Sequence, residues 1–254
     1  MAKVFLGVGH GGTDSGAVKY LREEDVNLNM ALGCEKYLKE QGVEVKMSRY
    51  KDENDPTSEE IKECNAYNPD LAVDIHNNAG GGDGFEVYYH HLGGNSIKLA
   101  KNIEKEVIAI GQNSRGCKTK LNSKGQDYYG FIRQTKPPAV ITEGVFVDNA
   151  KDVKIADTVA EQKAFGVAIA KGIIATLKEM GRLNATPTTT QKDLYKVRIN
   201  ASVLNVRAGA GTNFKITTKV NKGEIYTIVA EKDGWGKLKS GVGWIKLSYT
   251  VKLK

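Results

Sequence analysis

Covalent staples and membrane spans are what these 254 residues lack most plainly. Cys34, Cys64 and Cys117 are odd in number and share no ligand-like spacing. That argues against a disulfide framework and for buried, inert thiols. No apolar run approaches the roughly 18 residues of a bilayer-crossing helix, so no membrane insertion is expected. No secretory leader is expected either, because the chain enters core-like strand by Val4. The expectation is synthesis in the cytoplasm without a signal peptide. Histidine is scarce: there are only four, at positions 10, 76, 90 and 91.

Acidic residues are sparse in one region. From Gln191 onward there are 13 Lys and Arg against 4 Asp and Glu, a net of +9, whereas residues 1–190 carry 24 against 26, a net of −2. The basic excess therefore lies wholly in the last quarter, which favours association with a polyanion. No motif that reads RNA or DNA accompanies it, so nucleic acid is not expected as a partner.

What is present is an alternation of apolar strands and amphipathic helices. Val4–Val8 reads as a buried strand ending in Gly9-His10-Gly11-Gly12. A helix follows Arg22-Glu23-Glu24-Asp25 and runs to about Gln41, and Val43–Met47 is a strand. Thr57-Ser58-Glu59-Glu60 resembles a capped helix start. Leu71–His76, Phe85–Tyr89 and Pro138–Gly144 read as strands. Ile97, Ala100, Ile103, Val107 and Ile110 mark one helix, and Val159–Met180 another. This alternation predicts an α/β fold with a mostly parallel sheet flanked by helices. The segment 181–193 has linker composition, and 194–254 shows the short glycine-punctuated strands of a small all-β unit.

His10, His76 and Glu143 fall at or just past the ends of three separate strands, where open α/β sheets place their sites. A hydrolytic zinc ion takes three protein ligands and leaves a fourth position for water. With two histidines in place, Glu23 and Glu24 are candidates for the third. They sit about 100° apart around a helix, so only one can face the site, and the pattern alone does not choose. His90 and His91, adjacent in a strand, should point to opposite faces and read as exposed residues at a sheet edge.

The ordered motifs Gly9-His10-Gly11-Gly12-x-Asp14-x-Gly16-Ala17, Arg22-Glu23-x-Asp25-Val26-Asn27-Leu28, Ile75-His76-x-Asn78-Ala79, Gly84-Phe85-Glu86-Val87-Tyr88-Tyr89, Arg133-Gln134-Thr135 and Pro138-Ala139-Val140-Ile141-x-Glu143-Gly144-x-Phe146-x-Asp148-Asn149 resemble the type-3 family of zinc-dependent N-acetylmuramoyl-L-alanine amidases, over about residues 3–178. The resemblance implies Zn2+ on His10, Glu23 and His76, favouring Glu23 over Glu24, with Glu143 as acid/base. Asn78, Glu86 and Arg133 would lie on the substrate side. Asp74, Asn77 and Val145 stand where the family has other residues, and none of the three is a ligand. The implied reaction is hydrolysis of the amide between N-acetylmuramic acid and L-alanine in peptidoglycan.

Residues 194–254 resemble a bacterial SH3 domain through Ala201–Gly209, Lys222-Gly223-Glu224, Asp233-Gly234-Trp235 and Gly241–Ile245, with Ala210 and Gly236 departing from its pattern. This implies cell-wall binding, with Trp235 as a recognition residue or barrel core and Trp244 as core. The whole reads as an endolysin-like enzyme: catalytic residues 1–180, linker 181–193, wall-binding module 194–254. Release would follow a holin-type membrane lesion or lysis of the cell. Rival readings are a zinc peptidoglycan peptidase on the same scaffold and a non-catalytic binder of wall or polyanion. A purely structural Glu143, ion-paired to Arg133, is the alternative at that residue.

Overall fold

The computed structural model of the protein describes residues 1–183, 194–239 and 242–253. The chain divides into two compact units, Met1–Asn184 and Ala185–Lys254. The expected linker falls mostly on residues 184–193, outside the described residues, as does Gly241 of the last SH3-like motif. No helix among the described residues is long and apolar enough to cross a membrane.

The first unit is built on a six-stranded sheet. Its strands are β1 (Lys3–Val8), β2 (Glu44–Met47), β3 (Leu71–Asn78), β4 (Phe85–Tyr89), β5 (Ser114–Lys118) and β6 (Ala139–Phe146), in the spatial order β2-β1-β3-β6-β4-β5. The first four in that order are mutually parallel. β4 joins β6 antiparallel, with Glu86 opposite Glu143 and Tyr89 opposite Val140, and β5 follows β4 in parallel. Strand alternation divides the core between two faces. Val4, Leu6, Val8, Val73, Ile75 and Val140 pack beneath α1 (Glu23–Glu40), α3 (Asn95–Ala109) and α5 (Val159–Glu179). Phe5, Ala72 and Ile141 face the other way, with Phe131 and Ile132 of α4 (Gly130–Gln134) and Cys64 of α2 (Thr57–Tyr67).

Two local expectations change. Thr57 does not cap α2: Pro56 occupies the N-cap with no side-chain bond, its fixed φ suiting entry into a helix. The capping box belongs instead to α5, where Thr158 and Glu161 bond each other's backbone N–H groups. Cys34 and Cys64 are buried free thiols, and Cys117 is half-buried, donating to Glu104 Oε2 at 3.2 Å.

The second unit is one antiparallel sheet of seven strands, β7 (Tyr195–Ile199), β8 (Val203–Arg207), β9 (Ile216–Asn221), β10 (Ile225–Lys232), β11 (Trp235–Leu238), β12 (Trp244–Lys246) and β13 (Thr250–Lys252). They lie in the order β13-β7-β10-β11-β12-β8-β9. Val197, Ile199, Leu204, Val206, Val220, Ile228, Leu238 and Ile245 close around one core.

Candidate metal and catalytic site

The ends of β1, β3 and β6 and the start of α1 meet at one point. Glu23 is the first residue of α1, where a carboxylate complements the positive end of the helix dipole. Its Oε1 lies 3.2 Å from His10 Nε2 and 3.3 Å from His76 Nδ1, and its Oε2 accepts the Ala17 N–H at 3.0 Å. Glu24, one residue on, turns away and pairs with Arg22. His10, Glu23 and His76 thus form a group able to hold a metal ion.

The backbone around this group leaves no room for larger residues. A Cβ on Gly9 would fall 2.1 Å from the His76 ring, and one on Gly16 would fall 2.6 Å from Glu23 Oε2. His10 itself has φ 64, a left-handed conformation uncommon outside glycine. Buried groups hold that turn. Arg49, 1% exposed, donates to the carbonyls of Val8 at 3.0 Å, Gly9 at 3.2 Å and Glu24 at 2.8 Å. Asn27 Nδ2 donates to the Gly9 carbonyl, its Oδ1 accepts from Asn77 Nδ2, and Asn77 Oδ1 accepts the Val145 N–H. This chain of bonds ties β1, α1, β3 and β6 together.

The carboxylates around the two rings suit a cation. An imidazole that gives one nitrogen to a metal carries its proton on the other. His10 Nδ1 lies 2.9 Å from Asp14 Oδ2 and His76 Nε2 lies 3.4 Å from Asp74 Oδ2, so a carboxylate stands by each outer nitrogen while the inner nitrogens face the shared Oε1 of Glu23. Burial opposes ionisation of Glu23, yet the two histidines hold its carboxyl well below the usual range. Contact with Glu23 raises His10. Burial alone would lower His76, but Asp74 and Glu23 raise it well above its ordinary value.

Glu143 pairs with His76 across the β3–β6 register and with Glu86 across β6–β4. Burial, countered by His76 and reinforced by the Glu23 and Glu86 charges, lifts its carboxyl to about 7. The ion pair to Arg133 does not form. Arg133 Nη1 instead donates to the carbonyls of Asp127 at 2.5 Å and Tyr128 at 2.8 Å. The Glu143 carboxylate has no hydrogen-bond or ion-pair partner among the described residues. Asn78 donates to Glu86 Oε1 at 3.0 Å, and Glu86 Oε2 accepts from Arg115 at 2.8 Å and from Lys118. The Arg115–Glu86–Lys118 arrangement was not legible in the sequence, because it depends on β5 lying beside β4.

The expectation for His90 and His91 is overturned. β4 ends at Tyr89, the chain turns with Gly93 N–H on the His90 carbonyl, and both rings come to one side, centroids 4.9 Å apart. His90 Nε2 at 3.1 Å and His91 Nδ1 at 2.8 Å both meet Oδ2 of buried Asp127.

Residues 4–175 match the N-acetylmuramoyl-L-alanine amidase family. The chain belongs to that family. Residues 202–251 match the bacterial SH3 domain. Among its relatives, the sporulation-specific N-acetylmuramoyl-L-alanine amidase of Bacillus subtilis (strain 168) is 32% identical over 215 residues, 83% of this chain and 78% of that protein. Among solved structures, Cwp6 from Clostridium difficile superposes with TM-score 0.68 at 35% identity, covering 70% of this chain and 29% of that one. The catalytic domain of CwlV, an N-acetylmuramoyl-L-alanine amidase from Bacillus (Paenibacillus) polymyxa var. colistinus, gives TM-score 0.63 at 29% identity, covering 72% of this chain and all of its own.

In the SH3 unit of this amidase-family chain, Trp235 is 7% exposed with Lys246 Nζ 5.6 Å from its ring, whereas Trp244, expected in the core, is half-buried. Trp235 lines a cavity of about 780 Å³ with Arg207, Lys246 and Tyr249.

Proposed function

We propose that this amidase is zinc-dependent and hydrolyses the amide between N-acetylmuramic acid and L-alanine in peptidoglycan. The observation that carries the reading is the convergence of two histidines on Glu23, each with a carboxylate at its outer nitrogen, beside a further carboxylate of raised pKa. His10 Nε2, Glu23 Oε1 and His76 Nδ1 would hold the ion. A zinc ion there would supply Lewis-acid polarisation of the carbonyl and would acidify water. Glu143 is the proton carrier: a carboxyl poised near neutrality accepts the proton of the attacking water and returns it to the departing amine. Asp14 and Asp74 fix the imidazoles, and Arg49 with Asn27 keeps the His10 loop in register.

Residues 1–180 form the catalytic part of this proposal and 181–193 the linker. Residues 194–254 form the wall-binding module, whose net +9 and Trp235-lined cavity suit an anionic wall. Mass spectrometry of digested peptidoglycan tests the reaction: free L-alanine amino termini should appear together with intact muramoyl lactyl carboxylates. Cleavage inside the stem peptide would make the enzyme a peptidase. Sedimentation of the full chain with purified walls should weaken with salt, to the extent that contact is ionic.

A further inference from the structure

Beside Glu143, one buried carboxylate holds two cations. Glu86 is 5% exposed, and its Oε1 is already bonded by Asn78 and by the Tyr88 hydroxyl at 3.2 Å. Its Oε2 accepts from Arg115 Nε and from Lys118 Nζ. Neutralising one carboxylate needs one cation, so the group carries a net +1. The Arg115 and Lys118 side chains are 40% and 33% exposed. The guanidinium carbon lies over the Phe146 ring, 5.0 Å from its centroid. That contact and the bond through Nε hold the group, and its two Nη groups have no acceptor among the described residues. Glu86 lies directly opposite Glu143 in the antiparallel β4–β6 pair, so both side chains stand on the same face of the sheet. The guanidinium is thus held by the residue that stands directly across from the proton-carrying carboxylate.

We propose that Arg115, with Lys118 beside it, is a specificity-determining subsite for a carboxylate on the peptide side of the scissile amide. Glu86 acts as a positioning residue for both cations. The free Nη edge matches a carboxylate through two parallel hydrogen bonds, a geometry that lysine alone cannot supply. The subsite rests on the amidase reading above, since it assigns the substrate group that reading leaves open.

The test compares N-acetylmuramoyl-L-alanyl-D-glutamate with its diamide, which removes the charge and keeps the shape. The zinc-loaded parent should prefer the acid in kcat/KM, chiefly through KM. Arg115→Gln should reduce that acid-to-diamide ratio by about tenfold to a hundredfold, the usual scale for a lost charge-assisted pair, and Lys118→Gln should reduce it less. An unchanged ratio in Arg115→Gln, or no preference in the parent, overturns the proposal. Binding of the two compounds to Glu143→Gln, measured calorimetrically, keeps this separable from the amidase reading. If neither compound is cleaved, the acid must still bind more tightly, and Arg115→Gln in that background must erase the difference. Equal binding of the two compounds overturns the subsite whatever happens to hydrolysis.

Discussion

The first unit carries two groups of two histidines and one carboxylate, at opposite ends of the same sheet. In one, His10, Glu23 and His76 gather at the carboxyl ends of β1 and β3. In the other, His90 and His91 meet Asp127 beyond the end of β4. Because β4 runs against β6, that second group lies at the far pole: Tyr89 pairs with Val140, three residues and about 10 Å of strand before Glu143. Both groups bring their ligand-type atoms within reach of a single ion. The partners of their ring nitrogens separate them. The inner nitrogens His10 Nε2 and His76 Nδ1 both face the shared Oε1 of Glu23, and a carboxylate stands by each outer nitrogen. His90 Nδ1 instead accepts the Leu92 N–H at 3.2 Å, which leaves Nε2 with the proton, 3.1 Å from Asp127 Oδ2. The first group leaves its inner nitrogens to a cation, and the second is a clamp that fastens the 120–129 loop to the sheet. A count of histidines and carboxylates does not distinguish them, whereas the partners of the ring nitrogens do.

The largest expected effect tests this contrast directly. His76→Ala should lose its zinc and all measurable activity, while His90→Ala should retain one equivalent, as read by metal analysis of the purified variants. A zinc-replete His76→Ala would erase the distinction between the two groups.

Next in size is Glu143→Gln. It should keep its zinc and sediment with walls, yet lose roughly 10²–10⁴-fold in turnover, the span attributed to general acid–base catalysis. Near-parental turnover would remove Glu143 from the chemistry. The same variant should be the more stable protein once metal is chelated. The folded-state carboxyl of Glu143 titrates at about 7, above its ordinary 4.5. The unfolded chain therefore gives up that proton first, and the parent loses stability as pH rises between those values. Denaturant melts above neutral pH should show Glu143→Gln ahead by about 3 kcal/mol at most, with the advantage vanishing toward pH 4. Parent and variant with superimposable pH profiles would show that burial does not strain this group.

The smallest effect concerns the clamp. Asp127→Asn weakens the acceptor shared by the two imidazoles and should cost about 1–3 kcal/mol of stability while leaving metal content untouched. Loss of zinc from this variant would mean the two poles are not independent.

The strands that carry His10, His76 and Glu143 were legible because glycine and polar residues break off apolar runs there. The alternation of strands and helices likewise gave the two-faced sheet. The choice between Glu23 and Glu24 was not legible from periodicity, since both are first-turn acids. It is the pairing of Arg22 with Glu24 that leaves Glu23 to face the histidines. His90 and His91 were misread because alternation was carried past Tyr89 into a turn. Arg49 gave no signal at all. Its partners are main-chain carbonyls of Val8, Gly9 and Glu24, so its importance depends on contacts across 25 to 41 residues of sequence.

The close fit of His76 against Gly9 bears on how the enzyme acquires its ion. With no Cβ in the way, the imidazole rests directly on the backbone of the neighbouring strand, and the buried Arg49 and Asn27 side chains hold that strand end through hydrogen bonds to its carbonyls. The entropy of assembling the ligands is therefore spent when the polypeptide folds, not when metal arrives. Loading is then a capture event on a finished surface, so stripped enzyme should regain its ion at a rate set by the exchange of water from the cation.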